Sequence, residues 1–339
     1  MPDRLRQLLD HRGVLLADGG MGTGLFARGL ETGDSPELWN VDHPDRVEDV
    51  HREFIEAGSD IVLTNSFGGN AFRLKLHDAQ NRVAELNRAA AEVARRAADA
   101  VDRPVLVAGS IGPTGEILMP VGALDPADAE AAFRAQAEAL AAGGVDILWI
   151  ETMSSAEELE AAVRAASGPG LPVCATMSFD TNGRTMMGLT PDAALGLAHR
   201  FSPALAGFGA NCGIGPAQLL ATLLGFSRLE RQGEVIIAKG NCGIPEYRDG
   251  AIHYTGTPEI MADYALLARD AGARVIGGCC GTRGEHIAAM RRALDLVEPE
   301  GFPDIERIER LLGPVTAAAT EPVPSNRGER RRGRPRGSA

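Results

Sequence analysis

Aromatic side chains make up only 4 % of this 339-residue chain, cysteine occurs five times, and there is no basic excess, the formal net charge being -12 at pH 7. Each scarcity excludes something. An acidic chain with scattered charges is not expected to take nucleic acid as its main partner. No run approaches the roughly 20 apolar residues that span a bilayer, so no membrane partner is expected either. The first residues, MPDRLRQLLDHRG, are polar with a helical pattern, unlike a secretory signal, and five cysteines do not describe a secreted disulfide framework. The expectation is a cytoplasmic protein, in a reducing compartment where clustered cysteines serve metal binding or catalysis. A homo-oligomer is left open.

What the chain does have is one recurring phrase: an amphipathic helix, a small-residue stop, then a short apolar strand. It reads FIEAGSDIVLTN, LAAGGVDILWIET and ARDAGARVIGGCC. The glycine ends the helix, and the run after it is too short and too apolar for anything but a buried parallel strand. Such runs occur at Val14–Asp18, Ile61–Thr64, Val105–Gly109, Ile147–Thr152, Val173–Ser178, Ala206–Asn211, Val235–Lys239 and Val275–Gly278. Eight runs, each followed by a helix-competent segment, predict an α/β protein of the (β/α)8 TIM barrel class, with a doubly wound open sheet as the alternative. The expected division is a barrel over residues 1–298 and a largely disordered extension over 299–339. Within that extension Ile305–Leu312 is amphipathic, and Asn326–Ala339 carries six arginines and one glutamate. This basic tail reads as solvated and disordered, with no assigned function.

Active sites of such barrels lie where strands end and βα loops begin, so residues at those ends should be chemically unusual. Strand 1 ends at Asp18 and runs into GGMGTG, strand 2 runs into Asn65, and strand 4 delivers Glu151. Strand 6 ends in Asn211 and Cys212, strand 7 in Lys239 to Cys242, and strand 8 in Cys279 and Cys280. Four cysteines thus converge on one mouth, while Cys174, inside strand 5, reads as a small core residue. Three thiolates with a free fourth position make a zinc site of catalytic type. Cys279 and Cys280 can both reach one ion only if the backbone turns sharply between them, which Gly277, Gly278 and Gly281 permit. A redox disulfide between adjacent residues would be strained.

In order along the chain, LADGGMGT, DIVLTNSF, GSIGPTGE, DILWIETM, GANCGIGP and VIGGCCGT resemble the homocysteine S-methyltransferase family. That family includes betaine-homocysteine methyltransferase, S-methylmethionine-dependent enzymes and the N-terminal module of cobalamin-dependent methionine synthase. The resemblance implies that Cys212, Cys279 and Cys280 hold Zn2+. It further implies that Asp18 and Glu151 fix the amino acid, with backbone amides around Gly19, Gly20 and Met21 receiving its carboxylate. The implied partners are small molecules, homocysteine and a methyl donor, and the product is methionine.

Glycine betaine is the expected donor, since the motif spelling resembles bacterial betaine-using members. S-methylmethionine is the alternative, because ELWN at Glu37–Asn40 resembles those enzymes, and a corrinoid donor is the third. One barrel and a tail leave no segment for cobalamin, so the donor is expected to enter the mouth directly, where Trp39, Phe67, Tyr247 and Tyr254 are the aromatic candidates to face a cation. Two positions depart from the animal betaine enzymes, with Gly68 and Thr152 where those carry aromatic residues. NCGI occurs twice, at Asn211–Ile214 and Asn241–Ile244, and Cys242 is expected not to be a resting ligand. Two rival classes remain. GTGLFA at Gly22–Ala27, with Asp42 about 20 residues on, fits a dinucleotide-binding oxidoreductase. A non-catalytic zinc-binding barrel would show the same thiols.

Overall fold

The computed structural model describes residues 3–201, 205–226, 234–248 and 251–315. Eight parallel strands carry it: β1 (Leu15–Leu16), β2 (Ile61–Leu63), β3 (Leu106–Ile111), β4 (Ile147–Met153), β5 (Val173–Met177), β6 (Gly207–Cys212), β7 (Ile236–Gly240) and β8 (Ala273–Gly278). Pairing runs β1-β8-β7-β6-β5-β4-β3-β2. The ring closes where Ala17 bridges Ile61 and the Asp60 amide donates to the Leu16 carbonyl at 2.6 Å, which rules out the open sheet. Every expected strand is present. β1 is shorter than its apolar run because the buried Asp60 carboxylate accepts the Leu16 N–H, a place strand pairing would otherwise fill.

Strand alternation sorts the core into two shells. Leu15, Ile61, Leu106, Ala108, Ile147, Trp149, Cys174, Ile237 and Val275 point inward and fill the barrel, plugged from below by Leu5, Leu8 and Leu9 of the first helix, Arg4–Arg12. Leu16, Val62, Val107, Leu148, Ile150, Ala175, Ile236 and Ile276 point outward against the surrounding helices. Two residues beyond the inward apolar positions, the same alternation presents Asn65, Ser110, Glu151, Thr176 and Lys239. The barrel interior therefore changes from apolar to polar toward the carboxyl ends of its strands.

The helices obey the expected stops. Gly58, Gly144 and Gly272 follow their helices with φ of +108°, +93° and +98°, conformations that glycine adopts without a Cβ penalty. Asp125, Thr190 and Thr257 cap three helices that begin with proline, each side-chain oxygen accepting a backbone N–H of the first turn, at about 1 kcal/mol per cap. An antiparallel hairpin, Pro245–Arg248 with Ala251–Tyr254, follows β7 and was not anticipated. Ile305–Leu312 is a helix that buries Ile308 against helices Pro216–Phe226 and Pro258–Asp270. The arginine-rich tail lies outside the described residues. Among the described residues no helix is long and apolar enough to cross a membrane.

Candidate metal and substrate site

Cys212, Cys279 and Cys280 meet at the polar end of the barrel, their sulfurs all within 4.8 Å of one another and partly exposed. The adjacent pair reaches one point because residues 279–282 form a tight turn. The Thr282 N–H donates to the Cys279 carbonyl at 3.2 Å, and Gly281 takes φ +79° at the third position, as a type II turn requires. Cys212 itself sits at φ +63°, an uncommon conformation for a residue with a side chain and one concentrated at functional sites.

The donor set fits zinc. Four ligands at about 2.3 Å in a tetrahedron stand roughly 3.8 Å apart, so a small inward closure of these thiols suffices. As free thiols they hold their protons. Cys279 is pushed up first by its hydrogen bond with Cys212 and then by burial. In Cys212 the bond to Cys279 lowers the value, but the bond to Cys280 and burial raise it to about 11. A bound dication is the ordinary means of releasing such protons near neutral pH.

Cys242 stands apart from this cluster. It is fully buried, its thiol donates to the Gly256 carbonyl at 3.3 Å, and its backbone N–H donates to the Cys280 carbonyl at 2.9 Å. The second NCGI instead contributes Asn241, whose Oδ1 accepts the Cys280 N–H at 3.0 Å. The first contributes Asn211, whose Nδ2 donates to Thr152 Oγ1 at 2.7 Å and faces Cys279 Sγ at 3.9 Å.

Beside the thiols lie two buried acidic side chains. Glu151 is 8 % exposed and accepts a hydrogen bond from the Ser110 hydroxyl. Burial pushes its carboxyl above the ordinary range, opposed by the field of Lys239. Asp18 is deeper, at 1 % exposure, with Oδ1 accepting from Lys239 Nζ and Oδ2 from the Leu63 N–H, both at 2.7 Å. Ser110 was not singled out in the sequence, and Lys239 was placed at the mouth without its carboxylate partner. Their signal was positional, a polar residue two places beyond an inward apolar one.

Other expected residues hold the framework. Both N–H groups of the Asn65 amide are committed, to the Pro36 carbonyl at 2.7 Å and Asn40 Oδ1 at 3.0 Å, so they tie loops together instead of facing a ligand. The Gly20 N–H is spent on the Thr282 carbonyl at 3.1 Å. A Cβ on Gly19 would lie 2.6 Å from the Thr282 carbonyl oxygen, and one on Gly20 2.9 Å from that of Cys279. These glycines let the loops after β1 and β8 press together. Met21 opens the six-residue helix Met21–Phe26 and is partly buried. Gly22 and Gly24 lie inside that helix, not in a turn between strand and helix, which removes the dinucleotide reading. Trp39 is buried against His43 and Arg46 and is therefore packing, whereas Phe67 is 39 % exposed at the loop after β2. The side chain of Tyr247 lies outside the described residues.

A closed ring of eight parallel strands, with two buried acidic side chains and three convergent thiols at its carboxyl end, defines a (β/α)8-barrel enzyme with a thiol-lined mouth. The family of that description is the homocysteine S-methyltransferases: its model matches residues 15–294, and the chain belongs to it. The chain is 32 % identical over 304 residues to a methionine synthase of Mycobacterium tuberculosis, covering 85 % of this chain and 25 % of that protein. It is 31 % identical over 310 residues to the methionine synthase of Mycobacterium leprae, again spanning 25 % of it. The chain thus spans about a quarter of the length of these curated relatives. Among solved structures, the metallated form of the Escherichia coli homocysteine methyltransferase MmuM is similar at a TM-score of 0.71 and 28 % identity, over 85 % of this chain and 99 % of that one.

Proposed function

We propose that this protein transfers a methyl group from glycine betaine to homocysteine, giving methionine and dimethylglycine, with zinc held by Cys212, Cys279 and Cys280. The observation that carries this reading is the placement of three free thiols, within 4.8 Å of one another, beside the buried carboxylate of Glu151. Bound there, zinc supplies a positive centre that keeps the substrate sulfur deprotonated near neutral pH.

The chain's own residues do the rest. Glu151, fixed by Ser110, takes the homocysteine ammonium and orients its short side chain so that the sulfur reaches the thiols. Asn211 and Asn241 fix the loops that carry the cysteines. Exposed apolar side chains on the βα loops, among them Phe67, Ile117, Met119, Met187 and Ile244, are available to pack against a methyl donor and exclude water from it. Methyl transfer forms the S–C bond with a sulfur lone pair while the C–N pair departs with the amine. Because the thiolate and quaternary ammonium charges cancel as a thioether and a tertiary amine form, a water-poor mouth favours the transition state. On this reading residues 1–298 are the catalytic barrel and 299–339 an extension, and a reducing cytoplasm suits the thiols.

The chain's span of a quarter of the methionine synthases favours one competing reading, a methyl donor presented by another segment or partner. Zinc-loaded protein incubated with homocysteine and, separately, betaine, S-methylmethionine or a methylcorrinoid decides between them by the methionine formed. Betaine turnover is expected. Turnover with the corrinoid alone would overturn the direct-donor reading.

A further inference from the structure

The chain has two lysines, Lys75 and Lys239, among 34 basic residues, and one of the two is buried in the mouth. Lys239 is 2 % exposed and donates to Asp18 Oδ1 at 2.7 Å, while its Nζ stands 5.7 Å from the centre of the Trp149 ring. The ammonium reaches β1 from β7 across the intervening β8, where its register partner is Gly277. The seam there is narrow: a Cβ on Gly277 would meet the Cβ of Ala17 at 2.9 Å. A slim ammonium passes where a planar guanidinium with five donors would not be satisfied. In a chain that otherwise uses arginine, lysine here is a steric and electrostatic choice.

Two carboxylates, Asp18 and Glu151, share this buried region with one ammonium. The sum is one net negative charge, at a place where an uncompensated charge is costly. The two acids are not equivalent. Each Asp18 oxygen already accepts a hydrogen bond, from Lys239 and from the Leu63 backbone, and the residue is 1 % exposed against 8 % for Glu151. Burial acts against the charge on Lys239, but the fields of Asp18 and Glu151, the hydrogen bond to Asp18 and the field of Cys279 together raise its pKa and keep it an ammonium.

We propose that Lys239 is the specificity-determining positioning residue of the mouth: it neutralises Asp18, so that a single carboxylate, Glu151, is left to receive the ammonium of an amino-acid thiol. This rests on the homocysteine reading. With the internal cation in place, the one remaining negative charge, on Glu151, is matched by the single ammonium of the amino-acid thiol. Without it, two negative groups face the ligand and a simple cation is preferred.

The test uses zinc-loaded wild-type protein, Lys239→Met, Asp18→Asn and the double variant, titrated calorimetrically with homocysteine, aminopropanethiol (ammonium, no carboxylate) and mercaptobutyrate (carboxylate, no ammonium). Lys239→Met should raise the ratio of aminopropanethiol to mercaptobutyrate affinity by about tenfold, the scale of one partly buried charge. Asp18→Asn should lower it by a similar factor, and the double variant should return it to within about twofold of wild type. Parallel loss of affinity for all three thiols, with the ratio unchanged, would make the pair purely structural and overturn the proposal. If Lys239→Met does not fold, Asp18→Asn decides alone, an unchanged ratio overturning the proposal. A wild-type protein that holds zinc yet binds none of the three thiols would overturn the homocysteine reading itself, and this inference with it.

Discussion

Asn211 and Thr152 exchange two hydrogen bonds at the barrel mouth: the Thr152 N–H donates to Asn211 Oδ1 at 2.9 Å, and Asn211 Nδ2 donates to Thr152 Oγ1 at 2.7 Å. A third bond, from the Thr176 hydroxyl at 2.7 Å, fills the Asn211 acceptor. The pair holds Thr152 at φ +63°, a strained conformation for a β-branched residue, directly after Glu151. Strain of roughly 1–3 kcal/mol at such a position persists only where neighbours over-determine it. Asn211→Ala should therefore cost about 10–100-fold in zinc affinity or homocysteine turnover, as for other groups that orient ligands. Equilibrium metal competition together with steady-state kinetics checks it; wild-type values in both would mean that the lock is idle.

Cys212→Ala, Cys279→Ala and Cys280→Ala should each lose bound zinc, whereas Cys242→Ala should keep it. The thiol of Cys242 is turned toward the Gly256 carbonyl and the other three face one another. Metal analysis of the four purified variants reads the outcome directly. Full occupancy in the Cys280 variant, or loss in the Cys242 variant, contradicts the ligand set.

Glu151→Gln should retain zinc and raise KM for homocysteine by on the order of 10–100-fold, with a smaller effect on kcat, because a charge-assisted hydrogen bond to the ammonium is replaced by a neutral one. The wild-type carboxyl lies above its ordinary range because of burial, so homocysteine affinity should fall on acidification at a higher pH than an exposed carboxylate would dictate. In Glu151→Gln that acid limb should be gone. A KM–pH profile of unchanged shape would remove Glu151 from substrate binding.

His51 is fully buried in helix Pro44–Glu56 with neither ring nitrogen hydrogen-bonded, and burial lowers its pKa to about 4, against a smaller opposing pull from Glu48. The unfolded imidazole, near 6.5, binds a proton before the folded one does. Stability is therefore complete above the unfolded value and declines as pH falls from there toward about 4, by about 3 kcal/mol in all. Denaturant midpoints across that range should flatten in His51→Leu. Equal acid slopes in the two proteins would assign the loss to other groups.

All eight strands and the three clustered thiols were legible in the sequence, because a parallel strand between helices is a bounded apolar run and a cysteine at its end has few other roles. What was hidden depends on long-range geometry. Nothing local to Asn65 shows that Pro36 and Asn40 take its amide, and nothing local to Asp18 shows that Lys239 crosses β8 to meet it. A lysine within VIIAKG was readable as unusual, but its partner lies 221 positions away. The hairpin after β7 was missed because its strands are only four residues long and contribute no apolar run.

The glycine seam between the loops after β1 and β8 divides the molecule's capacity to change. Gly19 and Gly20 face the Thr282 and Cys279 carbonyl oxygens at 2.6 Å and 2.9 Å from where a Cβ would sit, so no other residue fits there without moving the loop that carries two of the thiols. That half of the rim cannot diversify and still make its nucleophile. In the loops after β3 and β5 the constraint is confined to the backbone: a Cβ on Gly122 would lie 2.0 Å from the Ile117 carbonyl oxygen, but the side chains of Ile117, Met119, Val121, Met186 and Met187 are exposed and free to vary. A library confined to those side chains would vary the surroundings of the methyl donor while leaving the thiols and the backbone that carries them unaltered.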